Sequence, residues 1–145
     1  MNKTPLLDLP RNEMAFRRIY RIYLEKRWIT TVFRPGRRLP GDARSYHPGQ
    51  LVKAKVLDHL GLDRAKVAPI FLTHPVRLIR IELVEARTIG SLLKTDFLGS
   101  TPDIINRSSL VYHLGLIYNL DPADLTKDSV VTRICFNYVK GKKGV

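Results

Sequence analysis

Cysteine is nearly missing from this chain. Among 145 residues the only one is Cys135, which leaves no disulfide framework and no cysteine-ligated metal cluster and predicts a reducing, cytoplasmic setting. Long apolar runs are missing too. No stretch approaches the ~20 consecutive apolar residues of a membrane-spanning helix, and the opening Met1-Asn2-Lys3-Thr4-Pro5 lacks a secretory core. The expectation is a protein neither exported nor embedded. His47, His59, His74 and His113 show no metal-ligand spacing and have no HExxH or CxxC beside them, so neither a metal nor another cofactor is expected. Gly36 and Gly41 sit in a proline-rich segment without the GxxxxGK order of a phosphate-binding loop, which argues against a nucleotide hydrolase.

Acidic residues are the remaining scarcity. Thirteen Asp and Glu stand against 25 Lys and Arg, a net charge of +12. Such an imbalance speaks about partners rather than fold, and the expected partner is a polyanion, with RNA first. The excess is densest early, where residues 1 to 44 carry 11 basic and 4 acidic side chains. With 44% hydrophobic and 26% charged residues the composition is that of an ordinary globular chain. Its length suits a single core burying roughly 68–70% of the unfolded surface.

The patterning predicts an arm over residues 1–12, a domain over 13–139 and a basic tail over 140–145. Pro5 and Pro10 discourage regular structure in the arm. From Glu13, Phe16, Ile19, Tyr20, Tyr23 and Leu24 recur at offsets of three and four, which predicts an amphipathic helix. Trp28 to Phe33 reads as a strand closed by Pro35-Gly36, with Trp28 in the core in preference to a base-stacking role. Arg34 to Gly49 reads as loop.

Gln50 to Leu57 and Val76 to Arg87 alternate as half-buried strands, and Ser91 to Leu98 reads as a short helix. Thr101-Pro102-Asp103 resembles a helix start, with Leu110, Val111, Leu114, Ile117 and Tyr118 as the buried stripe. Val130 to Tyr138 alternates again as a closing strand. This order predicts the α+β class, with a mixed and mainly antiparallel sheet or small barrel flanked by helices.

Leu24-Glu25-Lys26-Arg27-Trp28-Ile29-Thr30-Thr31-Val32-Phe33-Arg34 resembles the early basic, threonine-rich strand of an ASCH domain, a branch of the PUA-like barrels. Tyr46-His47-Pro48-Gly49-Gln50-Leu51-Val52 is similar to that family's glycine turn, Ile79 to Leu93 to its strand and short helix, and Val131 to Tyr138 to its last strand. The family's pattern of glycine, any residue, lysine, two residues, threonine, one residue and arginine is not met in any single register: Arg27 stands three residues before Thr30, but Arg34 lies four beyond it. The resemblance implies a PUA-like β-barrel with a pocket linked to RNA or modified nucleosides. In some members it also implies an acetylcytidine amidohydrolase built from lysine, threonine and glutamate.

The candidate residues follow from these two lines. Lys26, Arg27, Arg34, Arg37, Arg38 and Arg44 supply cations suited to phosphate, since guanidinium groups bond it in bidentate fashion, and Tyr46 supplies a ring for a base. If the resemblance extends to catalysis, Lys26, Thr30, Thr31 and Glu85 are the implied machinery: a weak nucleophile, a cation to activate it and a carboxylate to carry the proton. Glu85 is preferred to Glu82 because alternation puts it on the face of Ile79, Ile81 and Leu83. The leading expectation is an RNA-binding module. Its competitors are a hydrolase of modified nucleosides and a basic adaptor for an acidic protein, none of them acting at a membrane.

Overall fold

The computed structural model describes residues 12–42, 45–59, 70–71, 77–118 and 120–140. All but the last residue of the expected arm, all but the first residue of the expected tail, and Arg44 lie outside them. Among the described residues the strands are β1 (Glu13–Phe16), β2 (Thr31–Pro35), β3 (Leu51–His59), β4 (Ile70–Phe71), β5 (Arg77–Thr88) and β6 (Val130–Tyr138), and the α-helices are α1 (Arg21–Glu25) and α2 (Arg107–Tyr118). The sheet runs β1-β3-β5-β6-β2, with β4 on β3. β1 is parallel to β3 and every other pair is antiparallel. This is the mixed, mainly antiparallel α+β arrangement that the patterning predicts.

The expected closure into a barrel is not present. Among the described residues β1 pairs with β3 and β2 with β6, and no ladder joins the two ends of the sheet. A side chain spans the seam instead: Arg34 on β2 donates from Nη2 to the Ala15 carbonyl on β1 at 3.4 Å.

The expected helix from Glu13 is corrected as well. Met14 and Phe16 carry a period of two, and pairing with Ala54 and Val56 on β3 buries both. Helical turns begin only at Arg18, as a 3-10 turn that leads into α1. The α2 start also moves. Asn106 Oδ1 accepts from the Ser109 amide at 2.9 Å while Ser109 Oγ accepts from the Asn106 amide at 3.0 Å, a reciprocal cap that opens the helix at Arg107 rather than near Thr101. The segment Ser91 to Leu98 forms parts of two 3-10 turns, not one helix.

Two cores lie on opposite faces of the sheet. The first gathers Met14, Phe16, Tyr20, Leu24, Ile29, Val52, Ile79, Ile81, Ile134 and Phe136. The second packs Leu110 and Leu114 of α2 with Phe33, Ile89, Leu92, Phe97 and Val131. β5 crosses between them through a bulge. Ile81 pairs with Phe136, yet Leu83 pairs with Cys135, so two residues of β5 oppose one of β6. The extra residue turns Leu83 and Glu85 to the face opposite Ile79 and Ile81, which corrects the face expected for Glu85. No helix among the described residues is long and apolar enough to cross a membrane.

Candidate nucleic-acid interface

α1 ends in a corner that the sequence makes expensive and the structure holds firmly. The Trp28 amide donates to the Tyr23 carbonyl at 2.8 Å and the Arg27 amide to the Leu24 carbonyl at 3.0 Å. That paired closure requires a left-handed residue at Arg27, whose φ is 60°. Glycine is the usual occupant, and a side chain there costs about 1–2 kcal/mol. Two inward side chains pin the corner on either side. Arg77, at the start of β5 and 9% exposed, donates to the Glu25 carbonyl at the end of α1. Tyr138, at the end of β6, donates to the Ile29 carbonyl at 2.5 Å. Burial pushes the Tyr138 phenol well above its ordinary range, against the opposing charges of Arg77 and Arg27, so it stays a donor at neutral pH.

Ile29 and Leu24 enter the first core, and what lies between them faces outward. Trp28 is 59% exposed, so its expected place in the core is corrected. The left-handed turn at Arg27 reverses the chain so that Ile29, not Trp28, becomes the buried residue. The Trp28 ring lies 5.8 Å from that of Tyr23 at 49°, and Lys26 Nζ sits 5.4 Å from its centroid. Residues 17 to 27 hold five basic side chains and one acidic, Glu25. Glu25 pairs with Arg21 at 3.2 Å in the open, a contact worth little in water. Among the described residues no carboxylate lies within ion-pair distance of Arg17, Lys26 or Arg27.

The other expected cations sit elsewhere and do other work. Arg37 and Arg38 follow β2, whereas Lys26 and Arg27 precede it, so the strand of about 17 Å separates the two groups. Arg34 bridges the open seam. Arg38 donates its amide to Thr132 Oγ1 at 2.8 Å and its Nε to the Pro35 carbonyl at 3.2 Å. Arg37, 67% exposed on its side chain, meets Asp42 at 3.6 Å. Tyr46 packs against the first core and donates to the Glu13 carbonyl at 2.5 Å, so it fastens the loop to β1.

Of the residues implied for catalysis, Lys26 lies over the Trp28 ring, and Thr30, Thr31 and Glu85 have partners outside the set. Thr31 is buried, its hydroxyl 3.6 Å from Cys135 Sγ. The Thr30 amide shares the Gly99 carbonyl with the Thr31 amide, at 2.7 and 3.1 Å. Glu85 accepts from Arg133 at 2.9 Å and from Arg87 at 3.2 Å. Arg87 also reaches Asp96 at 3.2 Å, and Arg133 Nε donates to the Asp96 carbonyl at 3.1 Å. Burial works to raise the Asp96 carboxyl, but the Leu93 amide and the charges of Arg87 and Arg133 hold it below its usual value. These four residues tie β5 and β6 to the segment leading into α2.

A second polar cluster was invisible in the sequence. Tyr20 donates to Asp103 at 2.7 Å, and His113 Nε2 lies 3.5 Å from the same oxygen. Burial, reinforced by the Asp103 carboxylate, pushes the Tyr20 phenol up to about 12. Burial opposes ionisation of Asp103, but the hydrogen bond from the Tyr20 hydroxyl and the proximity of Thr101 and His113 hold its carboxyl below the usual range. The sequence reading also missed Tyr23, whose ring lies against that of Trp28. The available signal was the run Lys26-Arg27-Trp28 directly after a helix.

No protein-family model matches the chain, and no curated protein matches it. Among solved structures it is similar to the crystal structure of protein EF3133 from Enterococcus faecalis V583, of the DUF984 family. The TM-score is 0.52 at 12% identity, over 83% of this chain and 70% of that one. At that identity the likeness concerns fold alone.

Proposed function

We propose that the protein binds RNA, with the corner at the end of α1 as its principal phosphate-contacting surface. The observation that carries this reading is that, among the described residues, no carboxylate is ion-paired with Arg17, Lys26 or Arg27, in a segment where basic residues outnumber acidic five to one. Cations left unneutralised by their own fold keep their full attraction for phosphate, and their neutralisation by a nucleic acid releases condensed counterions. The proposal includes kinship with the ASCH branch of the PUA-like barrels. It is supported by the curled mixed sheet, whose seam Arg34 bridges, and by the fold-level likeness to the DUF984 protein.

The test is titration of single-stranded RNA with wild type and with a variant carrying Arg17→Ala, Lys26→Ala and Arg27→Ala together. A loss on the order of tenfold or more is expected, with the fold intact by circular dichroism. An undiminished affinity in a folded triple variant overturns the reading.

A further inference from the structure

The corner presents an aromatic face together with its cations. Trp28 is the single tryptophan of the chain, and the fold holds it out of the core at some cost. Arg27 adopts a conformation that side chains disfavour, and Arg77 and Tyr138 clamp the carbonyls at Glu25 and Ile29, on both sides of the ring. A corner built only to end a helix would place glycine at Arg27; the contact of Trp28 with Tyr23 is one that such helix ends commonly make, but here the ring stays 59% exposed. Strain maintained by buried anchors, with a large ring displayed at its apex, is the pattern of a preorganised contact surface.

We infer that Trp28, backed by Tyr23 and flanked by Lys26 and Arg27, is a stacking platform for an unpaired nucleobase, which makes the ligand single-stranded rather than duplex RNA. The inference rests on the RNA reading above and adds the base to the phosphate. Tyr23 supports the ring in tilted contact, and its own half-buried position against the first core fixes the platform to the domain. Lys26 over the Trp28 ring is a placeholder. An exposed cation–π contact shifts an equilibrium only about two- to fivefold. Stacking of a base on an aromatic side chain is worth roughly five- to 150-fold. A base therefore displaces the ammonium from the ring, and the released Lys26 is left beside the phosphate of the same nucleotide. In a duplex the base faces are occupied by their neighbours, so the platform has nothing to engage without unstacking.

The sole tryptophan makes the test direct. Wild-type protein is titrated with a short oligouridylate, with an abasic oligomer of the same length and charge, with a duplex and with polyglutamate. Trp28 emission and affinity are read separately. The expected result is tighter binding of oligouridylate than of the abasic oligomer, by about tenfold, with Trp28 emission changing only when bases are present. Trp28→Ala should bring oligouridylate down to the abasic level, while Trp28→Phe keeps most of the difference. Because the ring is largely exposed, both variants should fold.

Equal binding of oligouridylate and the abasic oligomer, with unchanged Trp28 emission, overturns the platform and leaves phosphate binding standing. Failure of every oligonucleotide to bind, or polyglutamate binding as tightly as RNA, overturns the RNA reading and the platform with it.

Discussion

Arg27 and Gly99 occupy the same left-handed region, at φ 60° and 79°, and differ in what surrounds them. Arg27 is exposed, so replacement by glycine relieves a conformational cost of about 1–2 kcal/mol while giving back some 0.4–1 kcal/mol through a freer unfolded chain. Arg27→Gly should therefore raise stability by about 0.5–1 kcal/mol in denaturant unfolding while weakening RNA binding, a trade expected where function and not folding selects the residue. Gly99 has no such latitude. A Cβ there would meet Thr30 Oγ1 at 2.2 Å, and the Gly99 carbonyl receives two amides from the β2 approach, so neither partner can move away cheaply. Gly99→Ala should cost about 2–4 kcal/mol, readable as a shifted denaturation midpoint at unchanged slope. A neutral Gly99→Ala would contradict the packing described at the start of β2.

The bulge in β5 decides which residues of the strand share a face. Period-two reading carries Ile79, Ile81, Leu83 and Glu85 along one side, and it is right as far as Ile81. One extra residue then sends Glu85 to Arg133. Nothing local in Ile79 to Glu85 announces the insertion, because it is set by pairing with β6. β1 was obscured for a related reason: Phe16 fits the three-and-four spacing of Ile19, Tyr20, Tyr23 and Leu24 as well as a period of two with Met14, and only the long-range partner β3 chooses. By contrast β3, β5 and β6 were legible because each is long, alternates and is bounded by turn residues. Of the interface, the cations at Lys26 and Arg27 could be read from the chain. The outward Trp28 could not, since it depends on the conformation of one arginine.

The ionic network on that face yields a prediction with a defined sign. Asp96 has a folded pKa below its unfolded value of about 3.9. Its stabilising contribution is therefore present above that unfolded value and is lost as pH falls through the folded one. Asp96→Asn should destabilise by about 1–3 kcal/mol at neutral pH, and the gap to wild type should close progressively below about pH 4. A gap independent of pH would show that the carboxylate charge is not what Arg87 and Arg133 hold.

For the molecule as a whole, a charge of +12 is more than its internal pairing uses. Arg87 and Arg133 are matched by Glu85 and Asp96, Arg77 is spent on a helix end, and Arg34 on the sheet seam. Lys26 and Arg27 at the corner have no ion-paired carboxylate among the described residues, and they immediately precede the exposed Trp28. The measurement that bears most directly on this is the salt dependence of oligouridylate affinity, wild type against Lys26→Ala with Arg27→Ala. If both side chains contact phosphate, log affinity falls linearly with log salt, and the double variant flattens the slope by about 0.7 for each contact removed, roughly 1.4 in all. A salt-independent affinity, or an identical slope in the two proteins, would contradict the account.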